Sequence, residues 1–169
     1  WKEEGAGHGE LFVAEYQSAG RGRFTRRWSA PPDSAITMSI LLCPEFSPQK
    51  APMMTLVMGL SVAQAVADLG LDVGIKWPND VVVSRKKICG ILTEMTMKQD
   101  KIGCAVIGVG INVNMDSFPE EMADKATSLY LESGHLFDRA EVTGLVMKHF
   151  EENYEKFVET EDLSGLKPD

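Results

Sequence analysis

Apolar and polar residues alternate with period two over residues 36–42, which puts Ile36, Met38, Ile40 and Leu42 on one face of a strand. A shorter β-prone run over 11–16 stops at the turn-like Gln17-Ser18-Ala19-Gly20. Residues 53–69 are apolar nearly all round. With Pro52 at the first helical position and Gly70 as the stop, they predict a helix buried on several sides. Thr55, Ser61, Gln64 and Asp68 interrupt it, so it lacks the run of about 20 apolar residues a membrane span needs. It reads as a central core helix. Strands are then expected over 73–76, 81–84, 88–96 and 102–114, with Arg85-Lys86-Lys87 as the tight connection between the second and third. A short helix is expected over 119–126. Asp138-x-x-Glu141, an acidic variant of the capping box, opens a long helix whose buried stripe is Val142, Leu145, Val146, Phe150, Tyr154 and Phe157. Its acidic face, with Glu151, Glu152, Glu155, Glu159 and Glu161, reads as solvated surface.

Strands, a buried helix, more strands and then helices make an α+β order: a mixed, largely antiparallel sheet backed by helices. A dinucleotide-fingerprint reading of Gly108-Val109-Gly110 is weakened, because the third glycine is absent and a strand continues where a helix should open. The 169 residues fit a single domain, long enough to bury about 70% of its unfolded surface. A start at Trp1 and an end at Lys167-Pro168-Asp169, just past a helix, suggest a fragment of a longer chain.

Seventeen Lys and Arg against 25 Asp and Glu leave a net charge of −8, which argues against DNA as a partner. Cys43, Cys89 and Cys104 are widely spaced and set in apolar sequence, without metal-ligand or disulfide spacing. With no signal-peptide pattern, a reducing, cytoplasmic setting is expected.

Against that acidic background Gly20-Arg21-Gly22-Arg23-Phe24-Thr25-Arg26-Arg27-Trp28 is a local exception. Glycines allow close backbone approach, and the guanidinium fork matches carboxylate and phosphate. The candidate groups are the cations Arg21, Arg23, Arg26, Lys76 and Lys87, the amides Gln17, Asn79 and Asn112, and Asp80, joined by Trp28 and Trp77 and the glycines 20, 22, 90, 108 and 110. They suit an anionic, ring-bearing ligand. No serine–histidine or cysteine–histidine signature accompanies them, so positioning and charge stabilisation are the natural mechanism. Each group also has a bland reading: the arginines as solvated surface, the tryptophans as core, Asn79-Asp80 as a turn, Lys87 as a hairpin tip and His149 as a hydrogen-bonded core histidine.

In combination the chain resembles the catalytic domain of biotin protein ligases. Four blocks carry the resemblance: Gln17-Ser18-Ala19-Gly20-Arg21-Gly22-Arg23 with Arg26 and Trp28; Lys76-Trp77-Pro78-Asn79-Asp80; Lys87-Ile88-Cys89-Gly90-Ile91-Leu92-Thr93-Glu94; and Gly108-Val109-Gly110-Ile111-Asn112. The resemblance implies a fold similar to class II aminoacyl-tRNA synthetase catalytic domains. It also implies a two-step reaction, in which biotin and MgATP give biotinyl-5′-adenylate and a lysine of a biotin carboxyl carrier domain then takes the biotinyl group. Gln17, Gly20, Arg21, Lys87, Gly90, Gly108 and Gly110 would contact biotin. Arg21, Arg23, Arg26, Trp28, Lys76, Asn79 and Asn112 would contact ATP or the adenylate, and Arg23, Lys87 and Asp80 would be catalytic. No resident metal site is implied beyond the Mg2+ that accompanies ATP. Thr25 stands where the family usually has glycine. The family's Ser-Thr-Asn or Ser-Thr-Gln segment, a C-terminal small β-barrel and a DNA-binding helix-turn-helix region are not in this sequence. Relatives pair by sheet extension, which allows a homodimer. The rival readings are a lipoate or octanoate ligase or transferase of the same fold and an inactive biotin-binding module.

Overall fold

In the computed structural model, residues 5–166 are described; Trp1 and Lys167-Pro168-Asp169 lie outside that range. Six strands form one sheet in the order β1-β2-β6-β5-β4-β3. They are β1 (Leu11–Ala14), β2 (Ala35–Leu42), β3 (Val73–Lys76), β4 (Asp80–Val83), β5 (Lys86–Lys98) and β6 (Lys101–Asn112). All neighbouring strands are antiparallel, so the sheet is not mixed; among the described residues the parallel element is an isolated bridge between Lys87 and Ala126. The α+β expectation holds.

The helices α1 (Ala51–Asp68) and α3 (Arg139–Thr160) cover one face of the sheet, with the short α2 (Leu129–Ser133) between β6 and α3. Ile36, Met38, Ile40 and Leu42 of β2 point into this core, as the alternation predicts, beside Ala105, Ile107, Val109 and Ile111 of β6. By length and composition α1 could cross a membrane. Here Met54, Val57, Met58, Val62, Ala65 and Val66 are fully buried in the core cluster, each large side chain stabilising the fold by about 1.5–3 kcal/mol. The α3 stripe is also as expected, with one polar member: buried Asn153 donates to Ser61 Oγ at 3.0 Å and Gln64 Oε1 at 2.6 Å, linking α3 to α1. His149 sits at the margin of this packing and shares a hydrogen bond with Asp68 (2.7 Å).

Three expectations change. The connection between β4 and β5 is the pair Ser84-Arg85, both in the left-handed region (φ 50° and 65°), which matches the twist of a two-residue hairpin. Lys86 and Lys87 therefore belong to β5. Residues 119–126 make only one 3-10 turn, Glu120–Met122; the helix starts later, where Ser128 Oγ accepts from the Leu131 amide. Trp77 is 75% exposed rather than core.

Candidate active site

The face of the sheet opposite α1 forms the floor of an open cleft of about 1900 Å³. Gly90 of β5 pairs directly with Gly110 of β6, and Gly108 lies opposite Leu92, so the floor carries almost no side chains at its centre. Each glycine meets something different. A methyl group on Gly110 would overlap the indole of Trp28, and one on Gly90 would press on the end of Lys87, whereas Gly108 has ordinary clearance to the Leu92 carbonyl and Ser39 Oγ.

Strand alternation alone puts Lys87 on the helix side, because Cys89 and Ile91 point there. A bulge reverses this. The register between β4 and β5 slips between Val81 and Val82, leaving Ile88 as the extra residue, and both Ile88 and Cys89 are fully buried. A bulge re-aims the residue beyond it, and Lys87 Nζ emerges on the cleft side 2.6 Å from Asp80 Oδ1. The approach lies off the hydrogen-bond direction, so the contact is a charge pair. Both side chains are about a quarter to a third exposed, 35% for Lys87 and 23% for Asp80, which leaves Lys87 reachable by a ligand anion. The backbone of Lys87 is pinned on the other side: its amide donates to Lys125 O at 2.8 Å and its carbonyl accepts from the Thr127 amide at 3.0 Å. Glu132 braces the same region, accepting from Ser84 Oγ (2.8 Å) and Thr127 Oγ1 (2.7 Å).

Beside this pair the Cys89 thiol is pushed up, chiefly by burial; Lys87 pulls it down and Asp80 raises it. Cys89 is therefore a neutral core thiol and not a nucleophile. With a thiol reagent on the folded protein, exposed Cys43 reacts and Cys89 does so only on unfolding; a fast-reacting Cys89 would show that the β4–β5 bulge opens.

The basic stretch folds as a small hairpin over the cleft. Arg21 and Arg27 form an antiparallel bridge, the Gly22 amide donates to Arg26 O at 2.7 Å, and the Trp28 amide to Gly20 O at 3.0 Å. A side chain on Gly20 would collide with the Trp28 carbonyl, which is why glycine is needed at that crossing. At the tip Phe24 and Thr25 both have positive φ (53° and 61°), so Thr25 occupies a conformation that glycine would take at no steric cost. Arg21 reaches Glu94 Oε2 at 2.7 Å, and the Arg23 guanidinium lies 4.6 Å from the Phe24 ring centroid. Trp28 rests on the Gly90–Gly110 floor with its indole N–H buried and no acceptor among the described residues. The methyl of a Gly110→Ala variant should occupy the floor itself, pushing Trp28 off and crowding a ligand seated in its place, so the dissociation constant of that ligand should rise about tenfold, as read by titration of tryptophan fluorescence.

Gln17, Gly20, Arg21, Arg23, Arg26, Trp28, Lys76, Asn79, Asp80, Lys87, Gly90, Gly108, Gly110 and Asn112, singled out from sequence as ligand-contacting or catalytic, line this one cleft, as does Gly22, whereas Trp77, offered as a stacking surface, does not. The two asparagines also do structural work: Asn79 Nδ2 donates to Ile91 O (3.2 Å) and buried Asn112 Nδ2 to Thr127 O (3.1 Å). Glu94 was legible as a partner for Arg21, since it shares the Gly90, Leu92, Glu94 face of β5. The wall contributed by Phe118, Pro119, Met122 and Lys125 had no sequence signal beyond a weak helix.

Residues 1–112 match the family model of the biotin/lipoate A/B protein ligase family. The chain is 43% identical over 156 residues to the bifunctional ligase/repressor BirA of Bacillus spizizenii, covering 90% of this chain and 48% of that protein. To the biotin–[acetyl-CoA-carboxylase] ligase of Mycobacterium tuberculosis it is 38% identical over 126 residues, 72% of this chain and 45% of the relative. Among solved structures, the biotin protein ligase from Aquifex aeolicus in complex with biotin and ATP superposes with a TM-score of 0.80 at 38% identity, covering 94% of this chain and 66% of that one. The chain spans about half the length of the curated relatives it matches.

Proposed function

The chain belongs to the biotin/lipoate A/B protein ligase family, and from that premise we propose that it is the catalytic part of an ATP-dependent biotin–protein ligase. Its substrates would be biotin, MgATP and a lysine of a biotin carboxyl carrier domain. The observation that carries the reading is the Lys87–Asp80 pair at the edge of a glycine-paved floor, roofed by a hairpin of arginines.

In the first step a carboxylate oxygen of biotin attacks the α-phosphorus of ATP, the P–O bond to the β-phosphate breaks, and pyrophosphate leaves. Charge builds on the phosphoryl oxygens and the carboxylate needs a fixed counter-ion. Lys87 supplies the ammonium beside the floor, while Arg21, Arg23 and Arg26 supply guanidinium groups from the hairpin. Mg2+ arrives on the triphosphate as part of that substrate. A bicyclic ring on Gly90, Gly108 and Gly110 takes the place of the Trp28 indole, which then packs on the adenylate. In the second step the acceptor amine attacks the biotinyl carbonyl, the bond to AMP breaks, and Asp80 takes the proton the amine sheds. Lys76, Asn79 and Asn112 bind the nucleotide end.

The three free thiols suit a reducing compartment such as the cytoplasm, and a homodimer by sheet extension is compatible with the exposed β1 edge, where Leu11, Phe12 and Val13 are solvent-accessible. Biotin-dependent pyrophosphate exchange on the full-length protein, followed by transfer to a carrier domain, tests the proposal with lipoate and octanoate run in parallel. Exchange and transfer with biotin support it. Turnover with lipoate or octanoate alone, or biotin binding without exchange, overturns it in favour of the sister ligases or an inactive binding module.

A further inference from the structure

The basic hairpin hangs between two stalks, residues 15–19 leaving β1 and 29–34 entering β2, and one side chain outside the cleft holds both. The end of β6 fixes where that side chain stands: Asn114 Nδ2 donates to Phe137 O (2.9 Å) and its Oδ1 accepts from the Phe137 amide (3.0 Å). Asp138 then caps α3, accepting from the Ala140 and Glu141 amides. The first residue of α3 is Arg139. Its Nη1 donates to Ala35 O at 3.1 Å, and its Nη2 reaches Glu15 Oε2 at 2.8 Å and Asp33 Oδ1 at 3.3 Å.

A cation in the first turn of a helix faces the positive end of the helix dipole, so local propensity disfavours Arg139 where it stands. Surface ion pairs also contribute little to global stability, and Glu15 and Asp33 are 72% and 77% exposed. What the arrangement does supply is geometry. One planar fork spans the first stalk, the second stalk and the opening residue of β2, three acceptors that a lysine could not satisfy from one position. Ala35 pairs with Asn112, so the clamp lies at the site end of the sheet.

We infer that Arg139 is a positioning residue: by tying Glu15 to Asp33 it sets the stance of the arginine hairpin and Trp28 over the glycine floor. The inference deepens the proposed ligase reading in its kinetic consequence alone, because the hairpin's stance can be read without any reaction. Arg21, Arg23, Arg26 and Arg27 give trypsin four sites inside the hairpin. In the full-length protein, Arg139→Gln should raise the rate of cleavage at those sites about tenfold, with other cleavage rates unchanged. Glu15→Gln with Asp33→Asn, which leaves Arg139 in place and alters only exposed groups, should do the same. The triple variant should be no worse than either, because all three remove one clamp. Arg139→Lys should fall between wild type and Arg139→Gln. In pyrophosphate exchange Arg139→Gln should raise the KM for biotin about tenfold with kcat within about threefold of wild type. Unchanged hairpin cleavage in Arg139→Gln, or additive effects in the triple variant, overturns the clamp. An absence of biotin-dependent exchange in the wild type would instead count against the ligase reading and leave the cleavage comparison intact.

Discussion

In the Lys87→Ala variant, biotin-dependent pyrophosphate exchange should fall about a thousandfold, close to 4 kcal/mol of lost transition-state stabilisation. The reason is that Lys87 is the cation the β5 bulge aims into the cleft, 2.6 Å from Asp80, with its backbone held on both sides by residues 125–127. The hairpin arginines are carried on a loop above the floor, so they do not replace a charge fixed on the sheet. The fold should survive the change. The Lys87–Asp80 pair is partly exposed, and a pair of that kind contributes only about 1 kcal/mol at most, so urea unfolding should show a small shift in midpoint at an unchanged m-value. Exchange near the wild-type rate in a folded Lys87→Ala protein would remove the role assigned to this side chain.

The Asp80→Asn variant should separate the two half-reactions. Asparagine keeps the size of the side chain and loses the base, so transfer of the biotinyl group from preformed adenylate to the carrier lysine should drop about a hundredfold. Adenylate formation should drop by less than about tenfold, because Lys87 is then released from its ion pair and still meets the biotin carboxylate. Single-turnover transfer measured beside pyrophosphate exchange reads both. Equal losses in the two steps would show that Asp80 acts only by holding Lys87, not as the acceptor of the amine proton.

Much of the architecture was legible because it rests on periodicity. The β2 alternation, the all-round apolar α1 and the α3 stripe each correspond to a face that must leave water, and each was found where the pattern placed it. The candidate groups were legible as a set too: the cations, amides and glycines that stand out in an otherwise acidic chain come from four blocks, and residues of all four line one cleft. Where short-range signals ran out, the expectations slipped. The Ser84-Arg85 turn carries no Asn-Gly or Asp-Gly signature, so the connection was placed one step too late and Lys87 read as a hairpin tip. Trp77 was expected in the core on the general behaviour of tryptophan, yet the turn that carries it stands clear of the sheet.

The opposition between the two faces of β5 shows where local reading ends. Residue types and spacing specify that Ile88, Cys89 and Ile91 are apolar and that Gly90, Leu92 and Glu94 share the other face; hydrophobic burial needs no more than that to form the strand. Whether Lys87 points to the helices or to the cleft depends on one unpaired residue in the ladder with β4, the other arm of the same hairpin. Tertiary contacts over longer separations set Trp28 on Gly110 and let Arg139 join Glu15 to Asp33 across more than a hundred residues. Apolar periodicity is a property of each strand or helix by itself, whereas the direction of a cation and the stance of a loop follow from which backbones pair, near or distant, and in what register.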